Sequence, residues 1–308
     1  MEPILKLQDI SHSYHSLDGE TVALSHLSFD VNEGEFISIV GSSGCGKSTL
    51  LSIISNLLTP EEGTVSFSGK QIGYMLQKDH LLEWRNVLKN ILLGLEVQHQ
   101  VSSDTKTKAL TMLKQYGLEQ FCYAKPSQLS GGMRQRVALI RTLILEPDLL
   151  LLDEPFSALD YQTRLTVGDD IWRIIRKEHK TAILVTHDLA EAISFGDHVL
   201  VLSSRPGTVK AKIDLSFPED QNTPLIRRNT PAFNEYFQRI WKQMTEHEKS
   251  FKSAASLSET TKAAPKKCTI LPHFYFCGIS FIMGILQRQK HHRFFYFQQS
   301  KKSIFMFL

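Results

Sequence analysis

One segment of the chain has the residue types and spacing of a phosphate-binding loop. Residues 41–48 read Gly-Ser-Ser-Gly-Cys-Gly-Lys-Ser and follow a short apolar run at 36–40. The glycines let the backbone curl so that its N–H groups and the N-terminus of the following helix face phosphate oxygens. Lys47 is then placed to reach the terminal phosphates of a nucleotide, and Ser48 to bind Mg²⁺ through its hydroxyl. The predicted nucleotide-binding residues are Gly41, Ser42, Ser43, Gly44, Cys45, Gly46, Lys47, Ser48 and Thr49.

A second segment supplies two neighbouring carboxylates. The apolar run Leu149 to Leu152 ends in Asp153 and Glu154. A carboxylate at the end of a strand beside a phosphate loop holds Mg²⁺, usually through water, which suits Asp153. Glu154 is then placed to act as general base toward an attacking water. Taken alone, the pair is equally typical of a solvated turn, and the phosphate loop is what favours the catalytic interpretation.

The elements that position these residues alternate between strand and helix. Short apolar runs at 36–40, 149–152 and 181–185 are typical of buried parallel strands. Helical spacing of apolar residues is found at 48–58 and 162–178, and much of 86–120 has the same character. Strands that alternate with helices predict an α/β fold with a parallel sheet covered on both faces.

A third segment links the chain to a known family. Residues 129–136 read Leu-Ser-Gly-Gly-Met-Arg-Gln-Arg and lie between the phosphate loop and the carboxylate pair. The serine and glycines are typical of a helix start that binds an anion. With this segment the chain resembles the ATP-binding-cassette (ABC) ATPases, whose signature motif is L-S-G-G-x-x-Q. The resemblance implies a dimer packed head to tail, either a homodimer or a pair with a paralogous cassette. In it, Ser130, Gly131, Gly132 and Gln135 of one subunit meet the ATP of the other.

Four further positions match elements of that family one by one. The resemblance implies that Tyr14 stacks on adenine, that Gln77 senses Mg²⁺ and the attacking water, and that Asp160 lies in a loop at the dimer interface. It implies that His187, after the strand at 181–185, contacts the γ-phosphate. The implied cofactors are ATP and Mg²⁺, with Ser48, Gln77 and Asp153 near the metal and Glu154, His187 and Gln77 as catalytic residues. Without the family context, Tyr14 and His187 remain compatible with ordinary structural roles.

The resemblance covers about residues 1–250 and implies a P-loop NTPase fold. It comprises an α/β core, an N-terminal antiparallel β subdomain and an inserted α-helical subdomain at about 86–135 that carries the signature. Helical spacing at 233–244 places a last helix near the end of this domain. Residues 251–308 are interpreted as a linker followed by a basic and aromatic extension.

The loop after Gln77 resembles one import subfamily. Residues 77–96, 202–207 and 228–233 are similar to the ATPases that serve nitrate, sulfonate, taurine and pyrimidine-precursor uptake, although Glu83 stands where proline is usual. The resemblance implies an ATP-hydrolysing subunit at the cytoplasmic face of the membrane. Its partners are a membrane permease and, indirectly, an extracytoplasmic solute-binding protein. Leu81, Leu82 and Trp84 form a candidate docking patch for the permease, or alternatively fill the subdomain core.

Two alternatives within the family remain. A soluble ABC ATPase of translation or DNA repair usually has two cassettes or a long coiled-coil insertion, and the sequence shows neither. A regulatory cassette without hydrolysis is disfavoured because Lys47, Asp153, Glu154 and His187 are all present.

Charge separates the extension from the rest of the chain. All 32 acidic residues and 27 of the 35 basic ones precede residue 260, so the body is acidic, which argues against a nucleic-acid partner. The apolar stretch 271–286 is too short for a membrane-spanning helix, although an interfacial segment and an anchor remain alternatives. We expect an extension without a folded role. Four cysteines in 308 residues favour a reducing compartment over a disulfide scaffold.

Overall fold

The computed structural model of the chain describes residues 2–17, 19–218, 223–258, 298–299 and 302–305. The chain divides into two compact units, Met1–His247 together with Gln298–Leu308, and Glu248–Phe297. The main part of the first unit ends at His247, whereas the sequence-based boundary is at residue 250, and the predicted domain division stays a prediction. It also includes strands at 298–299 and 302–305, which the sequence-based division assigned to the extension.

The described strands are numbered in chain order. They are β1 (Leu5–Ser16), β2 (Gly19–Val31), β3 (Phe36–Val40), β4 (Glu62–Phe67), β5 (Gln71–Met75), β6 (Leu149–Asp153), β7 (Thr181–Thr186), β8 (His198–Leu202), β9 (Val209–Asp214), β10 (Gln298–Gln299) and β11 (Lys302–Phe305).

The described helices are numbered in the same way. They are α1 (Lys47–Ile54), α2 (Val87–Ile91), α3 (Leu93–Val97), α4 (Ser103–Gln115), α5 (Gly131–Leu143), α6 (Tyr161–Lys177), α7 (Leu189–Phe195), α8 (Pro224–Arg227) and α9 (Pro231–Ser258), with 3-10 turns at Glu119–Phe121 and Pro126–Gln128.

A mixed sheet forms the core of the fold. Strands β5, β6, β7, β3 and β8 lie side by side in that order and run parallel, and β9 pairs antiparallel with β8. Alternate residues of β6 enter different apolar clusters, Leu149 and Leu151 on one side and Leu150 and Leu152 on the other. This explains why the strand is a continuous apolar run, because both of its faces are covered.

The N-terminal strands form a separate antiparallel sheet in the order β2-β1-β4. Its buried face shares an apolar cluster with α1 and the central sheet. The helices α2, α3 and α4 are inserted between β5 and β6 and pack against α5. The predicted α/β architecture with an antiparallel subdomain and a helical insertion is confirmed.

Two helix ends differ from the sequence-based boundaries. Helix α1 ends at Ile54 rather than near residue 58, since Asn56 adopts a positive φ of 55° that terminates the helix. Helix α9 continues to Ser258, into the segment predicted as a linker from residue 252. The alanine, lysine and serine residues of that segment tolerate helix, and proline first occurs again at 265.

The end of the chain adds to the central sheet. Strand β11 pairs parallel with β5, with Ser303 opposite Gln71 and Phe305 opposite Gly73. The expectation of an extension without a folded role therefore differs from the structure at these residues. An edge strand offers unpaired N–H and C=O groups, so another strand can pair with it. The apolar stretch 271–286 lies outside the described residues, and among those described no helix is long and apolar enough to cross a membrane.

Candidate functional site

The predicted phosphate loop connects β3 to α1. Gly44 and Gly46 have φ angles of 76° and 102°, in the left-handed region that favours glycine. A Cβ atom on Gly46 would lie 2.6 Å from Cδ2 of Leu24 and 2.8 Å from the carbonyl oxygen of Ala23. Position 46 thus requires glycine for its backbone conformation and for space.

The loop forms one side of an open cleft of about 540 Å³. The Nζ atom of Lys47 donates to the carbonyl oxygens of Gly41 at 2.8 Å and Ser42 at 3.0 Å, so the lysine lies along the loop. The volume is within the range of small-molecule sites. The residues that line the cleft are Tyr14, Ala23, Ser43, Gly44, Gly46, Lys47, Ser48, Thr49, Glu154, His187 and Arg205.

Glu154 is the centre of a polar cluster at the carboxyl ends of the central strands. Nδ1 of His187 lies 3.1 Å from its Oε1, and Nε2 of Gln77 donates to its Oε2 at 3.3 Å. The same Gln77 nitrogen lies 3.3 Å from Oγ of Ser157. Gln77, Glu154 and His187 follow the ends of β5, β6 and β7, which are neighbours in the sheet. The structure therefore brings the three predicted catalytic residues together.

The backbone at Glu154 is unusual for a residue with a side chain. Its φ of 44° is in the left-handed region, and its N–H donates to the carbonyl oxygen of Val185 at 2.8 Å. Strained residues of this kind cluster at functional sites, where the surrounding structure holds them. The hydrogen bond to β7 fixes the position from which the carboxylate projects.

The carboxylate of Asp153 is largely enclosed. Burial, with the neighbouring charge of Glu154, raises the pKa of Asp153 to about 6, while the hydroxyl of Tyr74 donates to its Oδ2 at 3.4 Å. A cation here would offset the repulsion between the two carboxylates. The oxygens of Asp153, Ser48 and Gln77 suit Mg²⁺, which binds through one or two carboxylates together with substrate phosphates and water. The described residues contain no cluster of three or more His, Cys, Asp or Glu arranged to hold a metal by themselves.

Tyr14 lies at the rim of the cleft. Its side chain is 47% exposed, its hydroxyl lies 3.1 Å from Oγ1 of Thr49, and its ring meets that of His12 edge to face at 5.1 Å. A half-exposed ring held at its hydroxyl end is suited to stack against a planar base. The observed position agrees with the adenine contact that the resemblance implies for Tyr14, and that contact stays a prediction.

Comparison with known proteins shows which family this chain belongs to. A family model described as "ABC transporter" matches residues 24–157. The uncharacterized ABC transporter ATP-binding protein YtlC of Bacillus subtilis (strain 168) is 43% identical over 252 residues, which cover 80% of this chain and 97% of that protein. The chain belongs to the ABC transporter ATP-binding proteins.

Other relatives of this ABC ATPase have more specific names. The taurine import ATP-binding protein TauB of Rhizobium johnstonii is 41% identical and covers 70% of this chain and 85% of its own length. The nitrate import ATP-binding protein NrtD of Synechocystis sp. is 36% identical, and the match covers 77% of this chain and 93% of NrtD. The ATP-binding cassette MJ0796 has been solved as a dimer bound to ADP and Pi, and its sequence is 32% identical to this one. The two structures superpose with a TM-score of 0.60, and the match covers 70% of this chain and 100% of the MJ0796 chain. The predicted family and ATPase class are confirmed.

The signature of this ABC ATPase begins helix α5. Oγ of Ser130 accepts a hydrogen bond from the N–H of Met133 at 3.3 Å, as an N-cap does. None of Ser130, Gly131 and Gly132 lines the cleft formed by the phosphate loop of the same chain. The signature therefore supplies a second helix N-terminus away from the first phosphate site.

Gln135, the last residue of the predicted signature, is buried within the chain. Its side chain is 2% exposed, on the same face of α5 as the buried Gly132 and Leu139. Positions three and four apart share one helix face, so a residue three positions after Gly132 is turned into the protein. Gln135 is therefore buried in the single chain, and its implied contact with a partner's ATP stays a prediction.

Asp160 caps the next helix. Its Oδ1 accepts from the N–H of Thr163 at 3.1 Å, and its hydrogen bonds with Thr163 lower the pKa of Asp160. The side chain is exposed at the start of α6 and does not line the cleft. A position at the surface agrees with the implied role at a dimer interface, which stays a prediction.

Two arginines of α5 hold the loop that follows Gln77. Arg141, almost fully buried, donates to the carbonyl oxygens of Asp79 at 2.6 Å and His80 at 2.8 Å. Nε of Arg134 lies 3.0 Å from Oδ2 of Asp79. The helix that begins with the signature is thus joined to the loop that follows Gln77, a predicted catalytic residue. Sequence reasoning missed this network, because the partners lie 55 or more positions apart.

The candidate docking patch is only partly as predicted. Trp84 is 70% exposed, which excludes the alternative that it fills the subdomain core. Leu81 is buried in that core and is not part of the surface. Sequence reasoning also missed Arg205, which lines the cleft, although its loop was noted for its subfamily pattern.

Proposed function

We propose that this protein is the ATP-hydrolysing subunit of an importer for a small anionic solute such as taurine, a sulfonate or nitrate, or for a pyrimidine precursor. The observation that carries the proposal is the cluster of Gln77, Glu154 and His187 beside the phosphate loop. The relatives named for taurine and nitrate import support the solute class, and identity over most of their length supports the same type of complex.

Different residues of the chain bind the phosphates, bind the metal and accept the proton during ATP hydrolysis. Lys47 and the loop N–H groups bind the phosphates and offset their charge. The side chains of Ser48, Gln77 and Asp153 would hold Mg²⁺, which when bound would supply positive charge that offsets the charge of the phosphates. Glu154 accepts a proton from the attacking water at a carboxylate oxygen. Its two oxygens are oriented by Nδ1 of His187 and Nε2 of Gln77.

One chain supplies half of each complete site. The exposed helix N-terminus at Ser130 is free to meet a phosphate bound to a second cassette, and a related cassette has been solved as a dimer. In the proposed head-to-tail dimer ATP favours the closed form, because the signature contacts phosphate only there. Hydrolysis removes that difference in affinity, and the dimer reopens. This cycle couples ATP to movement of a permease.

The permease meets the surface next to the Gln77 loop. Trp84 follows that loop and presents a large exposed aromatic side chain, of the type enriched at the centre of protein interfaces. The ATPase then sits peripherally at the cytoplasmic face of the membrane. An extracytoplasmic binding protein contacts the permease rather than this subunit.

A pull-down tests the proposal. The Glu154→Gln variant, trapped with ATP, is used as bait on detergent-solubilised membranes. We expect a multi-helix permease in the eluate, reduced by adding Trp84→Ala and not by adding Trp241→Ala, an exposed tryptophan on α9. Recovery of ribosomal or DNA-repair proteins instead would assign the chain to the soluble, non-transport ABC ATPases.

A further inference from the structure

The loop between β8 and β9 lies beside the phosphate loop as a result of strand order. Strand β8 is the neighbour of β3 in the central sheet, with Val201 opposite Val40. The two strands are parallel, so the chain leaves both at the same edge of the sheet. Residues 203–208 and the phosphate loop therefore emerge side by side.

Several backbone contacts fix the position of this second loop. The N–H of Gly207 donates to the carbonyl oxygen of Ala23 at 2.9 Å, and the N–H of Ser25 donates to that of Gly207 at 3.1 Å. A Cβ atom on Gly207 would lie 2.2 Å from the carbonyl oxygen of Cys45, so the two loops are in close contact. Oγ of Ser203 donates to the carbonyl oxygen of Pro206 at 2.8 Å. Arg205 therefore projects from a turn whose backbone is fixed by hydrogen bonds.

The side chain of Arg205 reaches the turn of the phosphate loop. Its Nε donates to the carbonyl oxygen of Gly44 at 3.0 Å, and the guanidinium lines the nucleotide cleft together with Lys47. Among the described residues no carboxylate forms an ion pair with Arg205. Its remaining N–H groups are therefore available to a ligand in the cleft, and their fork geometry matches a phosphate group.

We propose that Arg205 is a further nucleotide-binding residue of this ABC ATPase. Its Nε donates to the carbonyl oxygen of Gly44 and so supports the turn of the loop whose N–H groups bind the phosphates. Its charge adds to that of Lys47 and strengthens binding of the triphosphate. The proposal rests on the ATP site and is independent of which solute or permease the complex serves.

The test compares variants that separate charge from hydrogen bonding. Arg205→Gln keeps an amide donor without the charge, Arg205→Lys keeps the charge, and Arg239→Gln removes an exposed arginine on α9 that does not line the cleft. The Kd values for ATP and ADP are measured by fluorescence of a labelled nucleotide, at low and high salt. The kcat and KM for ATP and the urea midpoint of unfolding are measured for each variant.

We expect Arg205→Gln to raise the Kd for ATP ~10-fold at low salt, and to weaken ATP binding more than ADP binding. The KM for ATP should rise together with the Kd, and the unfolding midpoint should stay near that of the native protein. Arg205→Lys should recover most of the affinity, and Arg239→Gln should leave it unchanged.

Native affinity in Arg205→Gln would overturn the proposal. Equal losses in the lysine and glutamine variants would also overturn it, because a role of shape alone predicts that result. A fall in the unfolding midpoint of Arg205→Gln that matches its loss of affinity would show that Arg205 only stabilises the loop.

Discussion

Nδ1 of His187 lies 3.1 Å from Oε1 of Glu154, although the two residues follow different strands of the sheet. Glu154 follows β6, His187 follows β7, and these strands are paired with Asp153 opposite Val185. The register of one strand pair therefore places a carboxylate beside an imidazole at the mouth of the nucleotide cleft.

Substitution of Glu154 by glutamine should abolish most turnover while preserving ATP binding. Glutamine cannot accept the water's proton, whereas it keeps the size of the side chain, so we expect kcat to fall ~10²–10⁴-fold. The measurement is steady-state phosphate release together with the Kd for ATP. Glu119→Gln, in the helical insertion, is the matched control. Turnover within a few-fold of the native rate would exclude Glu154 as the base.

Replacement of His187 by alanine should act through the same carboxylate. Loss of the imidazole removes the group that orients Oε1 of Glu154, and we expect kcat to fall ~10–100-fold. Because the two side chains act as a unit, the double variant with Glu154→Gln should be little slower than Glu154→Gln alone. Losses that simply multiply would show that the two residues act independently.

Arg141→Met should destabilise the fold and disturb the Gln77 loop. The substitution leaves the carbonyl groups of Asp79 and His80 without the donors that Arg141 provides, and we expect a loss of about 2–4 kcal/mol in the free energy of unfolding. Urea denaturation measures it, and Arg239→Met on the exposed face of α9 is the control. If both variants unfold at the same urea concentration as the native protein, the arginine does not hold the loop.

Glu191 should make stability depend on pH. Burial raises the pKa of the Glu191 carboxyl, while the hydroxyl of Thr186 donates to its Oε2 at 2.7 Å. A carboxyl whose pKa is higher in the folded protein stabilises the fold fully below its unfolded value of 4.5, and this contribution is lost as the pH rises through the folded value.

Glu191→Gln remains neutral and should lack that dependence. Relative to the variant, the native protein should therefore lose stability as the pH is raised above about 4.5. Urea unfolding of both proteins from pH 4 to pH 7 measures the difference. Parallel curves across this range would contradict the prediction.

Truncation after Ser258 should leave the ATPase folded and active. Strand β5 remains paired with β6 on its other side, and Ile72, Tyr74 and Met75 stay in the core. We expect turnover within about twofold of the native value, and faster amide exchange at residues 71–73, which lose their pairing with β11. Failure of the truncated chain to fold, or unchanged exchange at these amides, would contradict the expectation.

Much of this protein follows from the order of its residues. The glycines at 44 and 46, the apolar strand before Asp153 and the Ser-Gly-Gly start of α5 act locally, through backbone conformation, burial and helix capping. Local effects of this kind can be recognised from a few neighbouring residues. The phosphate loop with Lys47 and the carboxylate pair with Glu154 were predicted for that reason, whereas the cassette and the role of His187 were implied by the resemblance to the ABC ATPases.

Tertiary structure alone decided the contacts between distant segments. Arg205 reaches Gly44 because β8 pairs with β3, and Arg141 reaches Asp79 because α5 packs across the strand that precedes Gln77. The burial of Gln135 depends on which face of α5 meets the core, and the strand at 302–305 depends on a free edge of β5. None of these contacts can be predicted from the neighbouring residues, because each depends on pairing and packing between elements that are far apart in the chain.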